Sequence, residues 1–141
     1  MKWTVLIAAL ALTGCATTLS TEKAASLRTE VSQMGTSDIC VMLHGRTGHT
    51  PSEATANINQ IMVDELVSRD AITADEYATA SQHKIQMGMG ECGLLIAFGR
   101  PDDINRTVIQ GAPISKQYVY RAIYSATYVY TEGGKITAWQ D

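Results

Sequence analysis

The feature that most constrains the fold of this chain is a change in the spacing of its apolar residues near residue 100. The segment GECGLLIAFGRP, residues 90–101, is apolar at helical spacing and opens on a glycine that can begin a helix. Gly99 suits the positive φ at which such a helix ends, and Pro101 prevents its continuation. Beyond this point polar and apolar residues alternate with a period of two. We therefore predict helices first and a sheet second.

The sheet is predicted from short runs rich in Tyr, Val and Thr, which suit a half-buried pleated surface. Gly133-Gly134 separates the last two runs, and a Gly-Gly pair between alternating runs is a strong hairpin signal. The predicted strands are Arg106–Gln110, Gln117–Tyr120, Thr127–Thr131 and Ile136–Trp139. This order predicts the α+β class, with N-terminal helices packed on one face of a three- to four-stranded antiparallel meander sheet.

Three helices are predicted ahead of residue 90 from capping residues and apolar stripes. Ser37-Asp38 can cap a short helix, while Thr50–Glu53 and Thr73–Glu76 both match the capping box. The expected helices cover residues 39–43, about 51–69 and about 74–82.

The start of the chain has the pattern of a secretory signal peptide, with Lys2 ahead of a short apolar run. The run is too short to span a bilayer, for which a helix needs about 20 apolar residues. Leu12-Thr13-Gly14-Cys15 resembles the bacterial lipobox, which predicts cleavage between Gly14 and Cys15 and lipidation of Cys15 by diacylglycerol and an N-acyl chain. Two or more acyl chains hold a protein stably on a membrane.

This reading divides the chain into a signal peptide over 1–14, a lipidated tether over 15–35 and a single helix-then-sheet domain over 36–141. Ala16 follows the cysteine where an inner-membrane retention signal carries Asp. We therefore expect a lipid-anchored protein of the outer membrane of a Gram-negative bacterium, facing the periplasm.

The composition narrows the range of partners. Loss of Lys2 with the signal peptide takes the formal charge from −3 to −4, and no basic stripe is visible, so we expect no nucleic-acid partner. We also predict no small-molecule substrate and no cofactor beyond the lipid. The expected partners are the membrane and an envelope protein.

Cys40 and Cys92 remain after lipidation and leave two alternatives open. The periplasm is oxidising and permits a disulfide between them. Both cysteines also lie in apolar stretches, where free buried thiols are common. Neither has a partner at metal-ligand spacing, and we read His44 and His49 as residues of a solvated loop, so no metal site is predicted.

No catalytic set is predicted, because a nucleophile needs a base and an orienting group. Glu91 adjoins Cys92, but consecutive helical residues do not face each other. We therefore expect that the protein is not an enzyme.

Residues 85–141 resemble the BamE/SmpA/OmlA group of small outer-membrane lipoproteins. The similarity covers the ordered motifs IQMGMG, FGRP, KQYVY and TYVYTEGGKITAWQ. It implies helices packed against an antiparallel sheet and an accessory, non-catalytic role, since the best-known member belongs to the machine that assembles outer-membrane β-barrels.

A cluster of tyrosines is the predicted interaction patch. If Val119 and Val129 both face the helices, the neighbouring tyrosines cover the open face of the sheet, and tyrosine is enriched at protein interfaces. The patch comprises Tyr118, Tyr120, Tyr128 and Tyr130, with Arg106, Arg121 and Trp139 framing it. The alternatives are that the tyrosines form the core face or ordinary cross-strand pairs.

We thus expect a non-catalytic protein-interaction module of the cell envelope, acting in outer-membrane assembly or integrity. The alternative function is an inhibitor-like binder of a periplasmic hydrolase.

Overall fold

The computed structural model describes residues 19–48 and 50–141. The predicted signal peptide, its cleavage site at Gly14 and Cys15, and His49 lie outside the described residues. The helices are α1 (Thr21–Gln33), α2 (Thr36–His44), α3 (Glu53–Ser68), α4 (Ala74–Ala80) and α5 (Glu91–Phe98). The strands are β1 (Asp103–Thr107), β2 (Ser115–Arg121), β3 (Ala126–Glu132) and β4 (Lys135–Gln140).

The four strands form one antiparallel sheet in the order β1-β2-β3-β4, so the predicted α+β class with a meander sheet is confirmed. Helices and sheet are joined through the backbone just before α5. The N–H of Gly88 donates to the carbonyl of Ile136 at 2.8 Å, and the N–H of Ile136 donates to that of Met89 at 2.9 Å. These bonds cover the first part of the outer edge of β4.

The prediction that residues 15–35 form a tether is wrong for most of residues 19–35, the part of that segment that the structure describes. Residues 21–33 form α1, whose N-cap Ser20 accepts from the N–H of Lys23. The helix packs against α3 and buries Val31, while Leu19 and Leu27 contact the core at its edge. Two apolar residues four apart were enough for docking because α3 offers a complementary stripe.

The predicted capping residues were partly wrong. Gly35, and not Ser37-Asp38, precedes α2, and it makes no side-chain cap. At α3 the cap is Ser52, whose hydroxyl accepts from the N–H of Thr55, so the box predicted at Thr50 is displaced by two residues. The capping box of Thr73 and Glu76 at α4 is present as predicted.

The helix predicted after Gly90 is confirmed, and so is its end. Gly99 has φ +79° and its N–H donates to the carbonyl of Leu95. The strand after it begins earlier than predicted, at Asp103 instead of Arg106. The reason is the β1–β2 connection, which uses Val108 to Ile114 and places Gly111 at φ +80°.

The core lies between the helices and one face of the sheet. Residues from α2, α3, α5 and the strands are almost completely buried there, including Ile39, Leu43, Leu66, Leu94, Ile96, Val129 and Ile136. Cys40 of α2 and Cys92 of α5 form a disulfide across this layer. Of the two alternatives that the sequence leaves open, the structure contains the disulfide.

No helix among residues 19–48 and 50–141 combines the length and the apolar character needed to cross a bilayer.

Candidate interaction site

The register of the sheet decides where each predicted site residue points. Tyr118 lies opposite Val129, and Val119 lies opposite Tyr128. Residues directly opposite each other in an antiparallel pair share a face. Val119 and Val129 therefore point to different faces, and the prediction of one four-tyrosine patch is wrong.

Tyr118 and Tyr120 face the helices and belong to the core. Tyr118 is 3% exposed, and the Tyr120 hydroxyl donates to the carbonyl of Gly99 at 3.3 Å. The Phe98 ring meets the Tyr120 ring edge-on, with centroids 5.5 Å apart. Burial raises the pKa of both phenols, and the negative charge of Glu91 raises the pKa of Tyr118 further. This pair fulfils the alternative in which tyrosines line the core face.

Tyr128 and Tyr130 lie on the open face, where polar side chains surround them. The amide of Gln117 donates to the Tyr130 hydroxyl at 3.0 Å and accepts from the amide of Asn105 at 2.8 Å. This row of hydrogen bonds crosses β1, β2 and β3 and borders a shallow depression of about 440 Å³. The open face therefore presents a polar ladder and not an aromatic patch.

The three residues expected to frame the patch do not meet around it. Arg121 is bound to the Asp103 carboxylate at 2.7 Å, which raises the pKa of Arg121. Arg106 lies opposite Lys116, and Trp139 opposite Val129, so both stand on the helix side of the sheet, on opposite edge strands.

The structure shows a different concave surface, between α2, α5 and β1, which we call the β1 groove. It has a volume of about 460 Å³. Its apolar lining consists of Val41, Leu95, Pro101, Ile104 and Tyr118. Ile104 is 52% exposed, although Tyr118, which lies opposite it on β2, is buried.

Charged residues border the β1 groove. Lys116 binds Glu91 at 2.8 Å on one side, and Arg100 stands 3.7 Å from Asp38 on the other. Among the described residues that line it, the four carboxylates of Asp38, Glu91, Asp102 and Asp103 outnumber the cations of Arg100 and Lys116. Arg121 pairs with Asp103 from outside the groove, so that an excess of one negative charge remains around this surface.

Strand β1 is also an open edge of the sheet. It pairs with β2 on one side, and no other strand of the described chain pairs with its outer side. Such an edge presents unpaired backbone donors and acceptors to any extended chain beside it. Val108 and Ile109, which follow β1 directly, are 65% and 63% exposed.

His44 and His83 bind the end of α5. Their Nδ1 atoms lie 2.9 Å from the carbonyl of Ile96 and 3.0 Å from that of Ala97, so each ring satisfies a C-terminal carbonyl. The prediction that His44 lies in a solvated loop is wrong, because His44 is the last residue of α2, and His49 lies outside the described residues.

The side chains of Cys92 and Glu91 are both bound to other residues of the domain. Its sulfur is bonded to Cys40, while the Glu91 carboxylate is held by Lys116 and by the Thr131 hydroxyl at 3.2 Å. Within residues 19–48 and 50–141, no group of three His, Cys, Asp or Glu is placed to hold a metal ion.

Sequence reasoning missed the β1 groove, although a signal for it was present. The segment DINRTVI carries Ile104, Val108 and Ile109 in and just after a strand, and an edge strand with exposed apolar residues is a candidate binding edge. Because the first strand was predicted to begin at Arg106 and not at Asp103, Ile104 was left outside it.

Comparison of the chain with protein-family models, curated proteins and solved structures gives no match. The resemblance of residues 85–141 to the BamE/SmpA/OmlA group stays a prediction.

Proposed function

We propose that this chain is a non-catalytic interaction module of the bacterial cell envelope, anchored by lipid at Cys15, that binds an envelope protein along β1 and the β1 groove. The lipobox supports the anchor and a position on the periplasmic side of the outer membrane. The resemblance to accessory lipoproteins supports a role in outer-membrane assembly or integrity.

The observation that carries this proposal is the combination of an open strand edge with an apolar groove beside it. An extended segment added to β1 gains main-chain hydrogen bonds, while its alternate side chains enter the pocket next to the strand. Asp103 and Ile104 are common to both features, since they belong to β1 and line the groove, and Ile104 is the apolar one of the two.

The charge of the rim narrows the chemistry of the partner. Carboxylates outnumber cations around the groove, so the segment that fits it carries an apolar side chain flanked by Lys or Arg. The anchor confines the module to the membrane surface and raises its effective concentration near membrane partners.

The experiment is site-specific photocrosslinking in intact cells, with the reactive residue at position 104 and, in a control chain, at position 67. Val67 is an equally apolar, 46% exposed residue on α3 that lies outside the β1 groove. We expect a discrete crosslinked envelope protein from position 104 and none from position 67.

A second pair of variants tests the site without the crosslinker. Ile104→Asp should abolish copurification of the partner identified above, and Val67→Asp should not. Equal crosslinking from both positions, or binding unaffected by Ile104→Asp, would refute the β1 groove as the site. A partner that proves to be a periplasmic hydrolase inhibited at one-to-one stoichiometry would favour the inhibitor alternative.

The anchor is tested separately by labelling cells with radioactive palmitate. The native chain should incorporate the label, and Cys15→Ser should not. Absence of label from the native chain would contradict the anchor and leave the groove to be judged by the crosslinks.

A further inference from the structure

The hairpin between β2 and β3 carries two large apolar residues at its tip. Ile123 is 89% exposed and Tyr124 is 98% exposed. They are the two central residues of the turn, since the N–H of Ala122 donates to the carbonyl of Ser125 at 2.8 Å. Two-residue hairpin turns favour Asn, Asp and Gly, so the turn itself does not account for these side chains.

The start of the described chain lies at the same end of the molecule as this tip. Arg69, just after α3, donates to the carbonyls of Val31 and Ser32 at the end of α1, so the two helices run in parallel. The chain after α3 passes beside Gly90, which bridges to Lys135 at the start of β4. That end of the sheet is opposite to the tip.

A series of contacts connects the segment before α3 with the tip of the β2–β3 hairpin. Gly48, which precedes α3, lies against the ring of His83, and His83 binds Ala97 near the end of α5. Gly99 then accepts from Tyr120, beside the base of the tip hairpin. The starts of α3 and α1 therefore lie at the tip's end of the molecule.

The lipid anchor on Cys15 determines which end of the domain faces the membrane. Cys15 precedes Leu19 by four residues, which span at most about 14 Å when fully extended. A lipid on Cys15, the basis of the proposed function, thus holds the tip's end of the domain next to the bilayer.

We propose that Ile123 and Tyr124 insert into the lipid interface and form a second membrane contact that orients the domain. Ile adds apolar area, and Tyr suits the headgroup level because its ring is apolar and its hydroxyl polar. Asp102 and Asp103 contact Arg121 at the end of β2, and Asp141 contacts Thr127 at the start of β3, so acidic groups predominate among these charged residues beside the hairpin. The contact is therefore apolar and does not depend on anionic lipid.

The experiment uses full-length lipoprotein purified from membranes and reconstituted into phosphatidylethanolamine–phosphatidylglycerol vesicles that contain brominated lipid. A Trp139→Phe chain receives a tryptophan reporter as Tyr124→Trp or, in the control, as Ile109→Trp. Ile109 is an exposed apolar residue in the hairpin loop at the opposite end of the sheet. Trp3 leaves with the signal peptide.

We expect the bromolipid to quench the Tyr124→Trp protein and to leave the Ile109→Trp protein unquenched, at low and high salt alike. Adding Ile123→Ser should lower the ratio of docked to undocked protein by about tenfold, the effect of losing one buried isoleucine.

Flotation of the vesicles distinguishes the failures. Protein that floats without quenching of the Tyr124→Trp reporter overturns the tip contact and leaves the anchor standing. Protein that does not float overturns both. Self-association in detergent that Ile123→Ser abolishes, in protein that floats without quenching of the Tyr124→Trp reporter, would assign the tip to a second copy of the chain and also overturn the proposal.

Discussion

Glu76 is a buried carboxylate that ties three elements together. Its oxygens accept from the N–H of Thr73 at 3.0 Å and of Gly90 at 2.8 Å, and Lys135 of β4 lies 3.3 Å away. Burial by itself raises the pKa of this group, but the two backbone donors and the ammonium outweigh it and lower the pKa below its ordinary value. The same residue thus completes the cap of α4, begins α5 and fixes the start of β4.

Replacing Glu76 should make the free energy of unfolding less dependent on pH in the acidic range. Because the pKa is lowered in the folded state, its stabilisation is present above the ordinary value of about 4.3 and is lost as the pH falls through the folded value. Glu76→Gln should reduce the free energy of unfolding by about 1–3 kcal/mol at pH 7, and the gap should narrow below about pH 4. Urea unfolding at several pH values measures this, with the exposed Glu132→Gln as control; a gap that is constant with pH would contradict it.

Gly99 is the second position at which a single residue decides local structure. Its φ of +79° disfavours any side chain, and a Cβ there would stand 2.8 Å from Cδ2 of His44. Gly99→Ala should therefore destabilise the protein by about 1–3 kcal/mol. Gly111 has φ +80° with open space around it, so Gly111→Ala isolates the backbone term and should cost less. Thermal unfolding compares the two; equal losses would mean that the contact with His44 is unimportant.

At the scale of elements, the C-terminal end of α1 is held by one side chain, that of Arg69. The guanidinium of Arg69 reaches the carbonyls of Ser32 at 2.9 Å and Met34 at 2.8 Å, and it is held in place by Glu65 at 2.8 Å. These are the carbonyls that the end of a helix leaves without partners. One side chain of the α3–α4 connection therefore closes α1 and aligns it with α3.

Removal of this guanidinium should loosen α1 in preference to the rest of the domain. Arg69→Ala should lower the free energy of unfolding by about 1–3 kcal/mol, since charge-assisted hydrogen bonds are lost. Amide hydrogen exchange should accelerate in residues 24–33 more than in α5. Arg28→Ala, an exposed change on α1 itself, is the control. Uniform acceleration across all helices would show that α1 does not open separately.

At the scale of the whole molecule, the disulfide joins the two halves of the helical layer. Cys40 and Cys92 are 52 residues apart in sequence, and between them lie α3 and α4. Closing a loop of this length removes chain entropy from the unfolded state, which favours folding by about 4 kcal/mol in the chain-entropy model. The bond also lies beside the β1 groove. Ser37, Glu91 and Leu95 line the groove, and the same three residues line a second depression that contains Cys40 and Cys92.

The double variant Cys40→Ala with Cys92→Ala should lose about 2–4 kcal/mol of stability. Urea denaturation with and without reductant measures this. Reductant should lower the stability of the native protein to near that of the variant and should leave the variant unchanged. A native protein indifferent to reductant would contradict the bond.

The features that the sequence predicted correctly are those that neighbouring residues decide. Gly99 and Pro101 ended α5, Thr73 and Glu76 capped α4, and Gly133-Gly134 turned β3 into β4, as expected. Each of these features is local, because a backbone conformation or a hydrogen bond within a few residues decides it. The order of helices and strands, and with it the fold class, follows from such local preferences.

Only the tertiary structure decided which face each strand residue occupies and which surfaces stay uncovered. Alternation placed Tyr118 with Tyr120 and Tyr128 with Tyr130, but the pairing of Tyr118 with Val129 put the two pairs on opposite sides. A shift of one residue in register exchanges the faces of a strand, so alternation in one strand cannot fix the relation between two. The β1 groove and the docking of α1 likewise depend on helices far apart in sequence. The chain alone determined its elements, and long-range packing determined its surfaces.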